Sequence, residues 1–149
     1  MPHRLRIKVW RLYMKAKLKI ATTHLDRYTG EVEKILLEHD ADVVVKKNLI
    51  TVRYKQERIG KIIKIYSSSI ETFNLDKNRN LMTFKEKQHC SCRYITPYGF
   101  FLMDIFTKSL KVDKKCDTDE IHAQIVYTIT DENFFDSEVN MEIVLTNYA

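Results

Sequence analysis

The chain has 149 residues, of which 44% are apolar and 30% charged, and a formal net charge of +5; this fits one domain able to bury a core without disulfides or metals, and excludes disorder for most of its length. No run approaches the ~18 consecutive apolar residues of a membrane-spanning helix, and the basic start is broken by charge too often to serve as a secretory signal. Three cysteines in such a chain read as reduced thiols, so a cytoplasmic protein is expected.

Arg4, Arg6, Lys8, Arg11, Lys15, Lys17 and Lys19 precede the first acidic residue, which leaves the body of the chain near neutral. Residues 1–13 are therefore read apart from the rest, either as a real basic extension or as a disordered or mis-assigned start ahead of Met14. The domain proper is expected over residues 14–149.

From residue 15 a period of two takes over. Ala16, Leu18, Ile20 and Thr22 alternate with Lys15, Lys17, Lys19 and Ala21, and Asp26-Arg27-Tyr28-Thr29-Gly30 closes that strand as a turn. Residues 31–39 fit a helical patch or a strand, and short length with Val and Ile content favours the strand. Strands are then expected at 49–54, 61–66, 69–73, 81–84, 90–96 and 100–110, divided by short polar segments. Two further strands alternate clearly. In one, Ile121, Ala123, Ile125, Tyr127 and Ile129 share a face; in the other, Val139, Met141, Ile143 and Leu145 do. The polar segment between them makes the pair a hairpin.

Glycine occurs three times and proline twice, so each marks a position. Thr96-Pro97-Tyr98-Gly99 fits a β-turn with Pro second and Gly fourth, which accounts for both residues by backbone geometry. About ten short strands at roughly ten-residue spacing, joined by short turns, predict an all-β protein. A closed antiparallel up-and-down barrel is preferred over a sandwich because closure removes exposed edges.

Phe84, then Arg93-Tyr94-Ile95-Thr96-Pro97-Tyr98-Gly99, then Phe106-Thr107-Lys108-Ser109-Leu110, and then the strand with Tyr127 together resemble the YwiB-like family of bacterial proteins. The resemblance spans residues 14–147. It implies a single calycin-like, lipocalin-like barrel of about eight to ten strands, and brings no reaction, ligand or functional residue with it. The chain departs from the family pattern after residue 73, where Asn74-Leu75-Asp76 stands in place of Arg-x-Gly.

Among chemically suggestive residues, Cys90 and Cys92 lie on one strand face without the reversal that zinc pairs use, and His89 points the other way. They are read as small buried hydrophobes, and neither metal nor cofactor is expected. No phosphate loop, nucleophile elbow or His-Glu-x-x-His motif occurs, so the chain is read as a binder rather than an enzyme. An active site assembled from residues far apart in sequence stays open.

Residues 100–106 are apolar at positions of both faces, which implies a covered outer face or an inner face lining a pocket. Arg93, Tyr94, Tyr98, Lys108 and Tyr127 are the candidate contacts for a small apolar or amphipathic ligand. The alternative is an interaction module for nucleic acid or protein. It would use the basic N-terminus with Trp10 and the turn bearing Phe134 and Phe135.

Overall fold

The computed structural model describes residues 13–115, 120–131 and 135–147, and every regular element in them is a strand. Residues 1–12 with Trp10, and also Cys116 and Phe134, lie outside the described residues. The strands are β1 Tyr13–Asp26, β2 Val32–Lys46, β3 Leu49–Gln56, β4 Ile59–Tyr66, β5 Ser69–Asn74, β6 Met82–Lys85, β7 His89–Thr96, β8 Gly99–Lys115, β9 Glu120–Thr130 and β10 Asp136–Asn147. They form one antiparallel sheet in the order β6-β5-β4-β3-β2-β1-β10-β9-β8-β7. Neighbours in sequence are neighbours in the sheet, except that β1 pairs with β10 and the chain crosses from β6 to β7.

The ambiguous segment at 31–39 is a strand. Its register on β1 shows why: Lys15 faces Asp42, Lys17 faces Asp40 and Lys19 faces Glu38. These pairs meet on the outer surface as ion pairs of 3.2, 3.1 and 3.7 Å. The opposite parity of β1 carries Ala16, Leu18 and Ile20 into the core. A slip of one residue would turn both sets over.

Turn chemistry was only partly visible. The β3–β4 hairpin turns on Glu57 and Arg58, both with positive φ (52° and 69°), the backbone twist a two-residue hairpin prefers. Gly60 lies in β4 instead. A Cβ there would stand 3.0 Å from Leu75 Cδ1, and Leu75 N–H donates to Gly60 O at 2.7 Å, so the missing side chain lets the 75–81 loop lie on the strand. The β7–β8 turn follows expectation: Gly99 has φ +129°, and Tyr98 N–H donates to Thr96 Oγ1 at 3.2 Å.

Two irregularities complete the barrel. In β8, Thr107 pairs with Tyr127 and Ser109 with Val126, so Lys108 is an extra residue in a β-bulge. The bulge changes parity, with Ile105 and Thr107 inward before it and Leu110 inward after it. The second is the seam between β6 and β7, which side chains close. Ile95 N–H donates to Asn80 Oδ1 at 2.8 Å, and the Cys92 thiol donates to Leu81 O at 3.3 Å. At the other end of the seam, Lys87 N–H donates to Thr107 O at 2.7 Å. The result is the all-β, calycin-like barrel of the expectation, with ten strands.

Leu18, Ile50, Val52, Ile63, Ile65, Ile70, Phe84, Ile105, Ile125, Val139 and Ile143 are almost fully buried inside it. Phe84 packs on Tyr127 across the seam, ring centroids 4.7 Å apart.

Candidate functional site: the barrel mouth

The turns after β1, β3, β5, β7 and β9 all lie at one end of the barrel, and the interior opens there. A cavity of about 300 Å³ is lined by residues from eight strands and one loop, at the small end of ligand-pocket sizes. Its apolar part is Ile20, Leu37, Ile62, Ile63, Phe73, Met82 and Met141, and its polar part is Thr22, Tyr54, Gln56, Lys61, Thr72, Asn74, Asn80 and Tyr94.

Strand register explains the arrangement. Lys61 stands opposite Tyr54 on β3 and Asn74 on β5, so the three form one row across three strands. Gln56 ends β3 and Asn74 ends β5, which puts amides at the rim, while Ile63, two residues deeper along β4, belongs to the core. Among the described residues, the lining holds one cation, Lys61, and no carboxylate. Tyr54 is partly buried under the ring of His39, with centroids 5.2 Å apart. Burial raises its phenol pKa above the usual value and keeps it a neutral hydrogen-bond donor.

Of the residues singled out from sequence, the structure brings only Tyr94 to this cavity. Tyr127 is 4% exposed and packs in the core; burial, with a smaller contribution from Cys92, pushes its phenol well above the usual range. Tyr98 is 99% exposed at the tip of the β7–β8 turn. Arg93 faces outward, its guanidinium 4.2 Å from the ring centroid of Phe100, a cation–π contact. Lys108 is the bulge residue and reaches over β9 to Glu138 Oε1 at 3.0 Å. Phe135, 40% exposed, lines a separate recess of about 390 Å³ with His24, Asp26, Glu31 and Glu33.

Sequence reasoning missed Lys61, Asn74 and Asn80. Each stands alone on its own segment, and only strand pairing and the closed seam bring the three to one rim. Asn80 also holds the seam, so the mouth and the closure share a residue.

The cysteine reading can be placed residue by residue. Cys92 is buried and Cys90 partly so, both as free thiols, and burial raises the Cys92 pKa. His89 points to the outer face and binds Asp104 through Nδ1 at 2.7 Å. Among the described residues, no three His, Cys, Asp or Glu side chains are grouped as a metal site. No helix of the described residues is long and apolar enough to cross a membrane.

Comparison with known proteins bears on the same barrel. No curated protein matches the chain. Its fold is similar to that in the crystal structure of the ywiB protein from Bacillus subtilis, with a TM-score of 0.79 over 93% of this chain and 94% of that one, at 18% identity. At that identity the likeness is one of fold. The sequence pattern of the family described as a domain of unknown function, DUF1934, matches residues 18–143, from the buried Leu18 of the first strand to the buried Ile143 of the last, and the chain belongs to that family.

Proposed function

We propose that the protein binds a small amphipathic anion in the barrel mouth, in the cytoplasm, without transforming it. The observation that carries this is the lining itself: among the described residues, an apolar floor beneath a rim with one cation, several neutral donors and no carboxylate. A ligand tail would lie over Leu37, Met82 and Met141, and its head would meet Lys61, with Tyr54, Asn74 and Asn80 beside it. A carboxylate head suits such a rim because a charge-assisted hydrogen bond to an ammonium is stronger than one between neutral groups. Binding is preferred over conversion because the lining has, among the described residues, neither carboxylate nor histidine to exchange protons near neutral pH.

Titration of isotopically labelled protein with decanoate, and separately with decanol, tests this by NMR. Saturable shifts confined to residues of the mouth are expected. Lys61→Met should weaken decanoate by roughly tenfold and leave decanol unchanged. If neither compound gives saturable shifts in the mouth, ligand binding there is wrong. If poly(U) binds instead, and loses binding on deletion of residues 1–13, the interaction-module alternative replaces it.

A further inference from the structure

β2 is fifteen residues long, but β3 pairs only with its last five, from Asp42 to Lys46. β1 covers the opposite side from Val32 to Val44. Residues 32–41 therefore have one backbone edge without a ladder partner among the described residues. Both faces of the outer part of this ribbon are open: residues 31–36 are all exposed, with Val32 at 58% and Leu36 at 65%. Proteins normally blunt such an edge with proline, a bulge or charges that repel a second strand. β2 has no proline and, in its register on β1, no bulge, and its charges are placed to attract a copy of itself.

We infer that two copies of this chain pair edge to edge through β2, antiparallel and two-fold symmetric about Leu36. In that register Lys34 of each copy stands opposite Glu38 of the other, Ile35 opposite Leu37, and Leu36 opposite Leu36. Both unlike-charge pairs lie on the outer face, where Glu38 already meets Lys19 at 3.7 Å, so each copy's Lys34 extends an existing ion pair. Residues of equal parity face each other, which continues the inner and outer faces of the sheet from one molecule into the next. A slip of one residue either way sets Glu33 opposite Glu38 or opposite Asp40, twice by symmetry, and like charges directly opposite are destabilising. The isologous contact closes on itself and leaves neither β2 edge free for a third copy. The ladder covers residues 32–40, within the stretch that β3 leaves unpaired.

Sedimentation of the full chain from micromolar concentration to about 1 mM tests this. A concentration-dependent dimer is expected. Lys34→Glu alone and Glu38→Lys alone should each weaken it by about tenfold or more, because each sets like charges opposite each other across the two-fold axis. An equimolar mixture of the two variants should restore the dimer, since every cross-pair is then unlike. Far-UV circular dichroism checks that both variants keep the barrel. A chain that stays monomeric to the highest concentration overturns the inference. So does a dimer that ignores both substitutions, or one lost instead on Phe100→Lys and Leu102→Lys at the other exposed hairpin.

Discussion

At the scale of single residues, Asn80 has the most to do. Its Oδ1 accepts from Ile95 N–H at the seam, and its own backbone sits at φ +35° after Arg79 at +56°. Asparagine tolerates that conformation better than most residues. Asn80→Ala would leave a half-buried N–H without its acceptor, and should lower the free energy of unfolding by about 1–3 kcal/mol in urea denaturation. Asn80→Asp keeps an acceptor and should recover most of the loss. None of this was legible in sequence, since Asn80 reads there as one more turn residue in Asp76-Lys77-Asn78-Arg79-Asn80. The burial of Cys92 was legible, because two cysteines on one strand face read as small hydrophobes.

At the scale of elements, alternation identified nearly every strand, and it failed where it had to fail. Thr107-Lys108-Ser109 breaks the period of two, and sequence offered only an apolar stretch with a motif at its end. The structure shows a bulge there, needed because β8 must keep Ile105 inside on one side and Leu110 inside on the other. Two changes at Lys108 separate its roles. Lys108→Ala removes only a partly exposed pair with Glu138, and should cost about 0–1 kcal/mol. Deleting Lys108 alone removes the extra residue and leaves Leu110 and Val112 inward, so cooperative unfolding should survive, whereas deleting Ser109 with it turns both toward solvent, and cooperative unfolding should then be lost. Circular dichroism during urea titration distinguishes the two results.

The same scale explains why the candidate ligand residues scattered. Arg93, Tyr94 and Tyr98 are close in sequence, but alternation and the turn send them to the outer face, the mouth and the turn tip. Proximity along a strand is not proximity in a barrel. Lys61, Tyr54 and Asn74 form a row because two hairpins hold three strands in register, and the register of a hairpin depends on turn geometry that Glu57-Arg58 does not advertise.

At the scale of the whole molecule, the interior is packed through most of its length and opens at the mouth. The packed part contains Tyr127, whose folded-state pKa is raised above the unfolded value by burial. The contribution of this group to stability is therefore fully present below about pH 10 and declines as pH rises beyond it, because the unfolded chain releases the phenolic proton first. Urea denaturation across this range should show the free energy of unfolding falling above about pH 10, with Tyr127 contributing a slope of about 1.4 kcal/mol per pH unit. Tyr127→Phe should flatten the decline by that amount. An unchanged slope in the variant would mean that Tyr127 ionises as freely in the barrel as in the unfolded chain.

Sequence by itself determined the all-β class, the strands and the side chains that face the core. Those features follow from a period of two acting within each strand, and the hydrophobic effect reads that period locally. Only the tertiary structure decided which strands meet, that the last seam is closed by Asn80 and Cys92, and that Lys61 is brought into the lining of the mouth. Those depend on pairing register and closure, which join residues from distant hairpins and leave no spacing signal along the chain.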